Sequence, residues 1–117
     1  MFVPILSDMY SGMATSVTLQ NRLLRGTPTA QDICEMLQSY YQDQALVSVA
    51  PFGTQGPRLV SNTMANTDRL EITVCGREEQ TLLTARFDNL GKGVAAAAIQ
   101  NLNLMLGFPE TTGLRVE

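Results

Sequence analysis

No histidine occurs among the 117 residues, so imidazole is missing as a general base or a metal ligand. Charge is sparse. Lys, Arg, Asp and Glu together make up 16% of the chain, the net charge is −3, and the eight basic residues form no cluster. The electrostatic footprint of a nucleic-acid binder is therefore absent. The longest uninterrupted apolar run, Val94 to Ile99, falls far short of the roughly 18 residues a membrane span needs. Neither nucleic acid nor a membrane is expected as a partner. The two cysteines, Cys34 and Cys75, have no metal-like spacing and suggest no disulfide framework. Their expected role is packing in a reduced, cytoplasmic protein. The first residues lack a charged stretch followed by a hydrophobic one, so no secretory leader is expected. No G-x-G-x-x-G fingerprint is present, so no dinucleotide-binding fold is encoded here.

What is present suits one globular domain over residues 1–117. Hydrophobic residues make up 44%, and a chain of this size buries roughly 65% of its unfolded surface. Met13 to Gln20 alternates Met13, Thr15, Val17 and Leu19 against Ala14, Ser16, Thr18 and Gln20, the period of a strand with one buried face. Thr29 and Asp32 form a capping-box signature, with Asp in place of the preferred Glu or Gln. Ile33, Leu37, Tyr40 and Tyr41 then follow at helical spacing. Leu46 to Val49 is a short strand candidate. Residues 51–57 and 61–67 are loops rich in Gly, Pro, Asn and Thr. Leu70, Ile72 and Val74 alternate with Glu71, Thr73 and Cys75, and a polar turn at 76–80 leads into an antiparallel partner from Thr81 to Phe87. A last helix runs from Val94 to Leu106, with Val94, Ala97, Ala98, Asn101, Leu102 and Met105 along one side. Gly107 is placed to end it and Pro109 to stop any continuation. The predicted fold is α+β, a mostly antiparallel sheet with two helices on one face.

Chemistry concentrates where the sheet feeds the last helix, at Asp88-Asn89-Leu90-Gly91-Lys92-Gly93. A strand entering a helix through glycine sets unpaired N–H groups at the rim of the sheet, a place that suits an anion. Lys92 in that first turn opposes the helix dipole at a cost of about 0.3–1 kcal/mol. A local rule broken in this way often marks a working site. The plainer reading has Asp88 or Asn89 as N-cap and a solvated lysine. Asn89 offers both donor and acceptor groups, suited to pairing with a carboxamide. Gly91 and Gly93 would let a ligand approach closely or simply supply the turn.

The run Arg86 to Gly93, followed by Ala95 to Ala98 and Gln100 to Gly107, resembles the end of N-acetyl-gamma-glutamyl-phosphate reductases, a family within the semialdehyde dehydrogenases. Phe2-Val3-Pro4 with Gly12-Met13, Leu82-Leu83, and Glu110 with Gly113-Leu114 extend the likeness, while residues 46–66 match weakly. The resemblance implies a domain similar to the C-terminal domain of glyceraldehyde-phosphate dehydrogenase-like enzymes. It also implies that the whole enzyme converts N-acetyl-gamma-glutamyl phosphate to the semialdehyde of arginine biosynthesis. In that family a cysteine thiolate forms a thioester and NADP, bound mainly by a separate N-terminal Rossmann domain, carries the hydride. Neither cysteine here has the family's Pro-Gly-Cys setting, and Ile5 stands where many members have a histidine. No catalytic residue is therefore carried over.

The resemblance places Asn89, Gly91, Lys92 and Gly93 near the cofactor's nicotinamide end, and no metal is implied. Asp68 replaces an asparagine common in shorter relatives, which leaves any substrate contact from that segment without support. The expectation is a C-terminal domain on its own, inactive alone, with Met1 as an added start. Assembly into a homo-oligomer would use the sheet face left open by the helices. A stand-alone binding or assembly module, or a related semialdehyde dehydrogenase, are the alternatives.

Overall fold

The computed structural model describes residues 1–117. β1 (Met13–Gln20) runs into a 3-10 turn at Asn21–Leu23, and α1 (Ala30–Tyr41) follows. Then come β2 (Val47–Val49), β3 (Leu70–Gly76) and β4 (Gln80–Phe87), and α2 (Ala96–Leu106) closes the series. The sheet order is β1-β4-β3-β2. β4 is antiparallel to both β1 and β3, while the short β2 lies parallel to β3. The α+β class and the mostly antiparallel sheet are as the sequence implies.

α1 forms for the reason its sequence gives. The Thr29 hydroxyl accepts the Asp32 N–H at 3.2 Å, and the Asp32 carboxylate accepts the Thr29 N–H at 2.8 Å. Each side chain satisfies an orphan donor of the other's backbone. The helix buries Ala30, Ile33 and Cys34. Ala30 and Cys34 meet Val74 in a small core joined by Leu37, Val49 and Leu83. Cys34 packs as expected, and its burial pushes the thiol's pKa up.

Because Val74 faces α1, strand alternation puts Glu71, Thr73 and Cys75 on the other face, with Thr84 and Arg86 beside them. That face is not bare. Thr73, Thr84 and Arg86 are buried. Arg86 reaches Val60 O and Thr63 Oγ1, both at 3.2 Å, and also pairs with Glu71. The loop carrying residues 60–63 thus lies over part of this face, and the open part is β1 with Leu82 and Gln80 of β4.

β1 differs from expectation. It is a strand, but neither of its faces is buried, and only Leu19 is half-buried. Its place at the sheet edge explains this, since α1 packs against β2 and β3, only brushes β4, and leaves β1 uncovered. Thr15, read as core-facing, is exposed.

α2 also departs from its sequence pattern. Its buried positions are Ala96 and Asn103, whereas Val94 is 66% exposed and Met105 83%. The physical reason is polar satisfaction. The segment after the helix folds back, and Asn103 Nδ2 donates to the carbonyls of Glu110 (3.1 Å) and Thr112 (2.9 Å). An amide with two carbonyls to serve faces inward, and the leucines are turned out. Gly107, with φ of 75°, ends the helix in the left-handed region. Its N–H bonds Leu104 O, and the Phe108 N–H bonds Asn103 O, the paired bonds of a Schellman motif.

Candidate functional site

At the sheet end where Met13 pairs with Phe87, β4 stops and Asp88 turns the chain. Asp88 is buried, and its carboxylate is a hub. Oδ1 accepts the N–H groups of Leu90 and Gly91, both at 2.8 Å, and Oδ2 accepts the Asn66 N–H at 2.6 Å. Burial alone would raise its pKa. The N–H donors of Gly91, Asn66 and Leu90, with the Ser11 hydroxyl, outweigh burial and hold it below the usual carboxylate range. Asp88 is therefore the capping residue of the two offered by the sequence.

Asn89 does something else. Its Oδ1 accepts the Gly12 N–H at 2.9 Å, tying the start of β1 to the end of β4 and leaving the NH2 end of the amide uncommitted. Helix geometry does not begin at once. Residues Gly91–Ala95 form a single π-helical turn, in which the Gly93 N–H reaches Asp88 O at 2.8 Å and the Ala95 N–H reaches Leu90 O at 3.3 Å. Such turns recur at functional sites.

The three remaining sequence candidates separate. Gly93 is exposed, though a Cβ there would come within 3.3 Å of Asp88 O and of the Phe87 ring. Lys92 is half-buried and donates to Gln100 Oε1, while Gln100 Nε2 donates to Glu110 Oε2 at 3.0 Å. Desolvation lowers the Lys92 pKa, opposed by the charges of Glu110 and Asp68. Those carboxylates answer the helix-dipole conflict seen in the sequence. Gly91 faces inward. A Cβ there would lie 2.7 Å from Asp68 Oδ1 and 3.0 Å from Thr67 O. Its lack of a side chain makes room for Asp68 and Thr67, and Gly91 lines the neighbouring cleft.

Asp68 supplies what the sequence did not show. Its Oδ2 accepts the Arg115 N–H at 2.8 Å, its Oδ1 lies 3.3 Å from Arg115 Nη2, and its own N–H bonds Arg115 O at 2.8 Å. The segment after α2 is pinned beside the π-helical turn by this pair. Nothing in the local sequence signals it, because the partners are 47 residues apart. A cleft of about 390 Å³ lies here, lined among others by Tyr10, Ser11, Asp68, Asp88, Gly91 and Arg115; Asn89, Lys92 and Gly93 lie outside its lining. A wider groove of about 1100 Å³ surrounds the β3–β4 turn at the opposite end of the sheet and contains none of the candidate residues.

The cleft end holds no activated nucleophile, and no group of three His, Cys, Asp or Glu side chains converges anywhere in the chain. Its chemistry is that of positioning: a fixed turn, an available amide and a screened cation. No helix is long and apolar enough to cross a membrane.

Comparison with known proteins returns a consistent answer. A family model described as semialdehyde dehydrogenase, dimerisation domain, matches residues 1–89. N-acetyl-gamma-glutamyl-phosphate reductase 2 of Nostoc sp. is 37% identical over 121 residues, covering 97% of this chain and 38% of that protein. The N-acetyl-gamma-glutamyl-phosphate reductase of Trichormus variabilis is 36% identical with the same coverage. Reductase 2 of Pseudomonas putida is 38% identical over 117 residues, covering 97% of this chain and 37% of that protein. The chain thus spans about two fifths of the length of these relatives.

Proposed function

The chain belongs to the semialdehyde dehydrogenase dimerisation-domain family, and from that premise we propose that it is the C-terminal domain of a cytoplasmic, NADP-dependent N-acetyl-gamma-glutamyl-phosphate reductase. The observation that carries this reading is the coverage: relatives named for that activity match 97% of the chain, including the Asp88–Gly93 turn and α2. In this reading the domain assembles into a homo-oligomer through the sheet, using the uncovered strand β1.

The residues at the turn suit the nicotinamide end of NADP in part. Asn89 has a free amide donor on a backbone fixed by Asp88 and Gly12. Gly93 is exposed beside it, and Lys92 contributes a cation held by Gln100. Gly91, where a side chain would meet Asp68, lines the adjoining cleft. When bound, the dinucleotide supplies the hydride that takes an acyl phosphate to an aldehyde. This chain's share is orientation: Asn89 offers hydrogen bonds to a carboxamide, and Asp88 stays anionic to keep Asn89 in place.

The chain alone is inactive in this reading; Cys34 is buried, and burial pushes its thiol pKa up, away from the reactive thiolate. Two checks bear on it. Mixed with NADPH and N-acetyl-gamma-glutamyl phosphate, the chain should oxidise no cofactor. The coding sequence upstream of Phe2 should contain a Rossmann fingerprint and a cysteine between Pro-Gly and the next strand. A stop codon directly upstream, or turnover by the chain alone, overturns the proposal.

A further inference from the structure

Gly91 is gripped between two buried carboxylates. Asp88 Oδ1 accepts its N–H at 2.8 Å, and Asp68 Oδ1 lies 2.7 Å from where its Cβ would stand. Burying a carboxylate is costly unless its charge is answered. The charge of Asp88 is answered by backbone N–H donors, and it serves as the cap of the turn. One cap suffices for one turn, so the second carboxylate needs a reason of its own.

Anchoring the end of the chain is not that reason. Asn103 already ties the segment after α2 through the carbonyls of Glu110 and Thr112. The Asp68–Arg115 pair lies against the turn instead. Arg115 Nη2 is 3.5 Å from the same Gly91 Cβ position, and the charge of Asp68 favours the protonated form of Lys92. Asp68 has little freedom to turn away, because its Oδ2 accepts the Arg115 N–H and its own N–H bonds Arg115 O, both at 2.8 Å. Asn89 stands on the short arc from Asp88 to Gly91. Asp88 holds one end of that arc, and the other end is a glycine, the residue least able to fix its own backbone. We propose that Asp68 is a positioning residue for Asn89. Through its contact with Gly91, and braced by Arg115, it sets the place from which the Asn89 amide meets a carboxamide ligand. The inference rests on the proposed reductase function, in which that ligand is the nicotinamide of NADP.

The Gly12 N–H bonds Asn89 Oδ1, so its hydrogen exchange reads where Asn89 stands. In the isolated chain, Asp68→Ala should speed exchange at Gly12 about tenfold more than at Leu37 inside α1. Arg115→Ala removes a side chain that is 59% exposed and should do the same by about threefold. Equal acceleration at both amides, or none at Gly12, overturns the proposal. A second readout uses the complete reductase that contains this chain. There Asp68→Ala should raise KM for NADPH about tenfold, but by less than about twofold in an Asn89→Ala background, because residues acting as one unit are not additive. The same rise in both backgrounds also overturns the proposal. If Asp68→Ala does not fold, Asp68→Asn and Arg115→Ala replace it in both readouts, since the amide keeps an acceptor for the Arg115 N–H and drops the charge. Exchange at Gly12 decides the positioning, whereas turnover by the parent reductase decides the reading beneath it, so the two failures are distinguishable.

Discussion

α1 and α2 are nearly equal in length, 12 and 11 residues, and they bury opposite kinds of surface. α1 is closed at its start by a reciprocal cap and sets Ala30, Ile33 and Cys34 into the core. α2 has no side-chain cap of its own, and its inward positions are an alanine and an asparagine. The first helix is held by apolar area, the second by polar anchors at both ends. Amphipathic pattern names the buried side of a helix only when its apolar partner lies in the same chain. In α2 the bonds of the Asn103 amide choose the side instead.

The contrast can be broken hardest at the root of α2. Asp88→Ala strands three backbone N–H groups, two of them from the π-helical turn and its cap, and should cost about 4 kcal/mol in urea unfolding. Ile33→Ala, the matching blow to α1, should cost about 3 kcal/mol through lost burial and a cavity. A pH series separates the two. The Asp88 carboxyl is held below its unfolded value, which lies near 3.9. Its contribution is therefore complete above that pH and fades as pH falls through the lower folded value. In Asp88→Asn that part of the acid-side loss should vanish, whereas Ile33→Ala should keep it. Gly91→Ala forces a methyl against Asp68 and should cost about 2 kcal/mol, seen as a lowered urea midpoint. Smallest of all, Leu102→Ala should change the stability of the isolated chain by less than about 0.5 kcal/mol, because the side chain is half exposed. A loss as large as that at Ile33 would erase the contrast.

Much of the fold was legible because its signals are local. Thr29 with Asp32 announced the start of α1, alternation from Leu70 and a short polar turn announced the hairpin, and Gly107 announced the end of α2. The same holds for the site as far as Asp88 and Asn89, which follow a strand and precede a glycine turn. What stayed hidden depends on distant partners. Asn89 spends its oxygen on Gly12, Gly91 is packed on Asp68, and Asp68 is paired with Arg115. None of these contacts leaves a trace in residue spacing. β1 misled for a related reason, since alternation shows that a strand has two unlike faces but not that either is covered.

The fully buried Asn21 has a kinetic consequence. Its amide donates to the carbonyls of Arg77 and Glu78, and its Oδ1 accepts the Thr81 hydroxyl. The Asn21–Thr81 bond joins positions 60 residues apart, whereas the hairpin it clasps closes within a few residues. Short loops close at much lower entropic cost than long ones, so the hairpin is expected to assemble first and β1 with Asn21 to arrive late. An interaction made after the barrier governs how fast a protein comes apart, not how fast it assembles. Asn21→Ala should accordingly steepen the loss of structure in stopped-flow unfolding while leaving the refolding rate nearly unchanged, and slowed refolding would place this clasp in the nucleus instead.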